Sequence, residues 1–139
     1  MAKNTGASVR QKLLNKAREE KRPFQELLQY YAMERFLYRL SQSHHSGCFT
    51  LKGALMLWAM QGPTSRPTRD IDMLGQTSNE PEAILAQVRE IIAAEVVDDG
   101  LRFDPDTLKA EAITEDADYQ GLRVTFTGFL DSARVPMQL

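Results

Sequence analysis

A single cysteine, Cys48, occurs among 139 residues, and that scarcity excludes an internal disulfide framework. It fits a reducing cytosol, where thiols stay free. Long apolar runs are missing too. The longest spans residues 54–60, far too short to cross a bilayer. The first six residues lead into a charged stretch, so no secretory leader is expected. There is no internal repeat and no low-complexity tract, and collagen-like, mucin-like and wholly disordered chains drop out. With 42% hydrophobic and 26% charged residues, the composition is that of an ordinary globular protein. A chain of this length buries a core without a disulfide or structural metal. The expectation is one soluble cytoplasmic domain with no membrane partner.

The net charge of −2 hides an asymmetry. Residues 1–52 carry ten Lys/Arg against four Asp/Glu, and the remainder carries seven against fifteen. A basic N-terminal part on an acidic remainder points to a polyanion contact. The plainer alternative is that Lys12, Lys16, Arg18, Lys21 and Arg22 form the wet face of an amphipathic helix.

Ser8 has the chemistry of an N-cap, and Val9, Leu13, Leu14 and Ala17 recur at helical spacing to about Glu20. Pro23 suits the first position of a second helix, whose apolar face runs from Phe24 to Leu40. A turn at 43–47 leads to a buried strand at 49–51, and Gly53 opens a helix over 54–60. Residues 70–73 alternate charged and apolar, the mark of a strand, which Leu74 and Gly75 close. Pro81 starts a helix with Ile84, Leu85, Val88, Ile91 and Ile92 inward, and Asp99 and Gly100 make a turn. Strands are expected over 101–103, 108–113, 122–130 and 134–139, with hairpin turns at 119–121 and 131–133. This order makes an α/β fold with a mixed sheet, preceded by two helices.

The most pointed feature is Asp70 and Asp72 around Ile71. On a strand, residues i and i+2 share a face, so both carboxylates converge. Two carboxylates that close raise each other's pKa unless a cation sits between them. Mg²⁺ takes a few hard oxygens from the protein and phosphate oxygens from a substrate. Taken alone, an exposed strand face explains the triplet equally well. Upstream, Lys52, Gly53 and Ala54 put a glycine where a strand meets a helix, allowing a phosphate to approach the backbone and the helix N–H groups. Arg66, Thr68 and Arg69 then place two guanidiniums and a hydroxyl just before the carboxylates, and guanidinium forks suit phosphate oxygens. One stretch therefore combines phosphate approach, a basic loop and a metal-binding pair.

Lys52-Gly-Ala54 followed by Arg66-Pro-Thr-Arg-Asp-Ile-Asp-Met73 closely resembles the AbiEii/AbiGii nucleotidyltransferase toxin family, within the polymerase-β-like nucleotidyltransferases. The likeness extends through residues 31–40 and on to 99–103. It implies a polymerase-β-like core with helices packed against the sheet, and a two-metal Mg²⁺ site on Asp70 and Asp72. It implies a nucleoside triphosphate held by Lys52, Gly53, Ala54, Arg66, Thr68 and Arg69. It further implies transfer of a nucleoside monophosphate to an RNA acceptor, tRNA above all, by a toxin with a cognate antitoxin and a role in phage defence. Ala54 departs from the superfamily's glycine-serine pair, which removes a hydroxyl contact, and the gap from Gly53 to Asp70 is longer than its usual spacing.

In chains resembling this one, a third carboxylate would directly follow Gln138 and Leu139, and a helical region would come after it. Residues 1–139 are therefore expected to be the nucleotide-binding part of a nucleotidyltransferase domain, cut before that acid. Such a piece would transfer little, and the alternative function is a nucleotide- or partner-binding module. Asp131 and Asp118 are the fallback acids, and the last strand is expected to expose an edge. Other readings are weaker. His44, His45 and Cys48 offer only three zinc ligands with no second cluster. Tyr30, Tyr31, Tyr38 and Trp58 have the spacing of core aromatics, and Glu34 and Arg35 read as a surface pair. A glycosyltransferase using D-x-D is opposed by the Lys52-Gly-Ala54 element and the short chain.

Overall fold

The computed structural model describes residues 5–43, 45, 49–52, 71–75, 80–94, 96, 98–116 and 119–139. Helices α1 (Thr5–Glu20) and α2 (Phe24–Ser41) come first. Strands β1 (Phe49–Lys52) and β2 (Asp72–Gly75) pair antiparallel, and helix α3 (Pro81–Ile92) follows. Strands β3 (Leu101–Asp116), β4 (Tyr119–Leu130) and β5 (Ala133–Gln138) form an antiparallel meander in that spatial order. The fold combines helices and strands as expected, with two helices in front. Every pairing among the described residues is antiparallel, so the parallel part of the expected mixed sheet is not seen among them.

One core explains the arrangement. Alternate residues of the meander, Val124, Phe126, Leu130, Val135 and Met137, are buried on one face. Leu28, Met33 and Phe36 of α2 and Ile84, Val88 and Ile91 of α3 pack into the same cluster, with Leu85 and Ile92 partly buried against it. Phe36, Phe103 and Phe126 meet with centroids 5.4–6.2 Å apart, two of the three contacts edge-on. Pro81 sits at the start of α3 as its ring geometry favours.

Several boundaries move for physical reasons. Ser8 lies inside α1, not at its cap: the helix starts at Thr5, where its first turn docks on the Asp98–Gly100 turn. The Asp98 carboxylate accepts the Gly100 N–H at 2.9 Å. That bond, and a second one with the Thr5 side chain, holds its pKa below the ordinary carboxylate value. Gly6 and Gly100 interlock, and Gly100 has φ +78° with a Cβ that would fall 2.8 Å from Gly6. Pro23 precedes α2 instead of opening it, and its carbonyl accepts the Glu26 N–H. The D-x-D strand sits later than expected, because β2 is defined by its partner: Leu74 and Gly75 pair with Thr50 and Phe49 instead of closing the strand.

The last hairpins differ as well. Residues 119–121, expected as a turn, belong to β4, with Tyr119 opposite Asp116 and Gly121 opposite Ile113. The final turn is Asp131 and Ser132, with Ala133 already in β5. The two short strands expected over 101–113 are one strand with an irregularity between Asp104 and Lys109. Pro105 falls there, where no ladder N–H is required. Thr107 replaces the lost rungs: its hydroxyl accepts the Thr127 N–H at 2.8 Å and donates to the Asp104 carbonyl at 2.7 Å.

Candidate active site

The β1–β2 register sets Lys52 opposite Asp72. Ile71, immediately before β2, is fully buried, which is what a D-x-D pair asks of the residue between its carboxylates. Asp70, Gly53, Ala54, Arg66, Thr68 and Arg69 lie outside the described residues, as do His44, Cys48, Trp58 and Asp118.

The strand beside this pair is β5. Its residues Ala133, Val135 and Met137 are register partners of β4, and Leu139 exchanges backbone bonds with Val124. The carbonyls of Arg134, Pro136 and Gln138 accept elsewhere. They take the Gln25 amide at 3.4 Å, the Gln29 amide at 2.7 Å and the Ile71 backbone N–H at 3.0 Å. Gln25 and Gln29 stand one turn apart on α2, a rise of about 6 Å that matches the two-residue step of about 6.8 Å along a strand. Gln29 is buried, so its amide must find partners. Pro136 has no N–H to offer a second chain. The exposed edge expected of this strand is therefore covered, by two glutamines and then by the residue that leads into β2.

Where β3 bulges away from β4, a cavity of about 640 Å³ opens beside the end of β5. Its lining includes Gln29, Thr107, Lys109, Thr125, Thr127 and Gln138, a set rich in hydroxyls and amides. Lys109, Thr125 and Gln138 are consecutive cross-strand partners.

A buried ion cluster secures α2, the helix that supplies the two glutamines. Arg39 donates to the Asp99 carboxylate at 3.0 Å, to the Leu101 carbonyl at 3.1 Å and to the Arg35 carbonyl at 3.2 Å. Arg35 lies 3.2 Å from the other Asp99 oxygen. The Tyr31 hydroxyl donates to the Asp99 carbonyl at 2.6 Å. Burial first, and the Asp99 charge second, push the Tyr31 phenol up to about 12. From sequence, Asp99 reads as part of a turn and Arg35 as a partner of Glu34. The Arg35–Glu34 contact exists at 3.4 Å, but the larger cluster was missed. The available signal was Arg35 and Arg39, one turn apart inside an apolar helical stripe.

Other nominated residues have ordinary roles. Lys12, Lys16, Arg18 and Lys21 are exposed, as the wet-face alternative holds, whereas Arg22 is partly buried and pairs with Glu26 at 3.2 Å. Tyr30 is core, while Tyr38 is exposed beneath the Arg35 guanidinium at 4.4 Å. His45 pairs with Glu90 at 2.6 Å, and no cluster of three metal-ligating side chains occurs among the described residues. Asp131 lies in the β4–β5 turn, at the opposite end of β5 from Gln138, 3.5 Å from Arg10.

A family model for the nucleotidyl transferase AbiEii toxin of type IV toxin–antitoxin systems matches residues 35–139. The chain belongs to the AbiEii family. No curated protein matches it. The AbiEii match starts inside α2 at Arg35 and spans β1, β2 and the whole meander, so it takes in every nominated site residue and the Arg35–Arg39–Asp99 cluster. It leaves out α1, Gln25 and Gln29. A nucleotidyltransferase toxin family implies a nucleotide substrate and an antitoxin. None of the described helices is long and apolar enough to cross a membrane.

Proposed function

We propose that the chain carries the nucleotide-binding side of an Mg²⁺-dependent nucleotidyltransferase centre that moves a nucleoside monophosphate onto an RNA acceptor, tRNA above all, in the cytoplasm. Gly53 and Ala54 would lie against the β- and γ-phosphates, with Lys52, Arg66, Thr68 and Arg69 neutralising them. Asp70 and Asp72 are the hard-oxygen donors that suit Mg²⁺, and the buried Ile71 between them fits that use. When bound, the metal supplies charge stabilisation for an in-line displacement at the α-phosphate.

The observation that carries the reading, beside the family match, is the bond from the Ile71 N–H to the Gln138 carbonyl. An antiparallel run of β2 along β5 would next meet Pro136, which has no N–H and whose carbonyl is taken by Gln29. A parallel run meets no such obstacle and gives the mixed sheet of a polymerase-β-like core. It would set a residue following Leu139 beside Asp72, where a third carboxylate belongs. Asp131 is remote from that position, which favours a second reading for residues 1–139 by themselves: a nucleotide- or antitoxin-binding module without transfer.

The test is incubation with α-labelled nucleoside triphosphates, Mg²⁺ and total RNA, comparing this chain, a version extended past Leu139, and Asp70→Asn and Asp72→Asn variants. Labelled RNA from the extended protein only, with metal-dependent nucleotide binding lost in both variants, is expected. Undiminished binding by both folded variants would refute the site. Robust turnover by residues 1–139 would refute the need for a further carboxylate.

A further inference from the structure

All three described helices contribute to the core on one face of the meander, and the opposite face presents a different set of side chains. Across that face the register lines up Arg102, Phe129 and Arg134 as direct neighbours on β3, β4 and β5. The two guanidiniums lie 5.2 and 6.0 Å from the centre of the Phe129 ring. Four residues along β4, roughly 13 Å, the row of Lys109, Thr125 and Gln138 crosses the same face and ends at the strand whose carbonyl holds Ile71. Arg102, Lys109 and Arg134 are exposed and have no carboxylate within ion-pair distance among the described residues. Acids share this part of the sheet: Asp104 accepts the Asp106 N–H at 2.9 Å and keeps its charge, Asp106 lines the cavity with Lys109, and Glu111 pairs with Arg123 at 3.7 Å.

We propose that this sheet face is a docking platform for single-stranded RNA on its way to the D-x-D strand. A base stacks at Phe129, and Arg102, Arg134 and Lys109 each take a backbone phosphate. The proposal rests on the nucleotidyltransferase reading for its direction, while its chemistry is local. A half-buried aromatic ring flanked by exposed cations on a sheet face combines what unpaired bases and phosphates require. The basic N-terminal helix offers less, because α1 carries no aromatic side chain on which a base could stack. Arg102, Lys109 and Arg134 thus lie in the half of the chain with the acidic balance.

The test measures fluorescence anisotropy of a 5′-labelled single-stranded RNA of about twelve nucleotides with the whole chain across a salt series. Phe129→Leu should weaken binding about tenfold. Arg102→Gln with Arg134→Gln should flatten the slope of log affinity against log salt by about 1.4, and Lys109→Gln by about 0.7. These three cations are exposed, so their variants keep the fold even where Phe129→Leu does not. Metal-dependent triphosphate binding should be unchanged in all of them. Parent-like affinity and slope in folded variants would overturn the platform, as would a polyglutamate peptide binding as tightly as the RNA. Loss of the RNA response with intact triphosphate binding in the variants supports it. An intact RNA response in a parent that binds no triphosphate would retire the nucleotidyltransferase reading and leave the platform standing.

Discussion

Replacing Asp99 with Asn tests whether the buried ion cluster holds α2 in place. Asparagine keeps the size of the side chain and an oxygen for the Leu101 N–H, which Asp99 now accepts at 3.0 Å. What it removes is the one charge that both guanidiniums share. The Arg39 side chain is only 6% exposed and that of Arg35 22%, so Arg39 is left without a counter-ion in a poorly solvated place and Arg35 keeps only the exposed Glu34 carboxylate. Breaking one side of a buried pair costs about 3–5 kcal/mol. With an unfolding entropy near 2.1 cal/mol/K per residue, that loss lowers the melting temperature by roughly 10–17 °C. Thermal unfolding followed by circular dichroism at neutral pH reads the change. Adding Arg35→Gln to Asp99→Asn should recover part of the loss, because the repulsion between two guanidiniums no longer bridged by a carboxylate disappears. A melting temperature within about 3 °C of the parent would refute the reasoning and make the cluster a solvated surface feature.

Thr107→Val removes the hydroxyl that bonds the Thr127 N–H and should cost about 1–3 kcal/mol in urea unfolding, an unpaired donor being the main loss. Gly100→Ala meets both a positive φ and the Gly6 backbone, and should destabilise by more than about 1 kcal/mol while loosening α1, read as faster amide exchange in that helix. The Tyr31 phenol is raised to about 12 from an ordinary 10, so its contribution is complete below pH 10 and is lost as pH rises toward 12. Absorbance titration should show one tyrosine ionising late, together with unfolding, and Tyr31→Phe should remove that step.

Much of this molecule is legible in its sequence where one element carries its own pattern. The α3 helix declares itself through Pro81 and the spacing of Ile84, Val88 and Ile91, all buried as expected. The candidate site is a sequence pattern only, glycine, arginine and paired aspartates close together, and most of it lies outside the described residues. What the pattern misses is set by partners. The limits of β2 follow from β1, and no feature of residues 74 and 75 alone marks them as paired. The bulge at Pro105 hides as a gap between two short strands, because a threonine hydroxyl does the work of a ladder rung. Asp99 and Arg39 are 60 residues apart, and charged residues carry no periodic signal of burial.

The covered edge of β5 ties these pieces together. The Arg35–Arg39–Asp99 cluster anchors α2 to the turn that begins β3, and α2 then presents Gln25 and Gln29 to two successive carbonyls of β5. With those carbonyls occupied and Pro136 lacking a donor, the next free acceptor along the edge is Gln138, and it is taken by Ile71. A shift of β2 by two residues toward the β4–β5 turn would have to displace a buried glutamine amide, leaving that amide unpaired at a cost of about 1–3 kcal/mol. Ile71 is thereby confined to one end of the meander, at Gln138, which also lines the cavity and ends the row through Lys109. The residues that enforce this include two, Gln25 and Gln29, that lie outside the family match, so the first turns of α2 take part in positioning the candidate site.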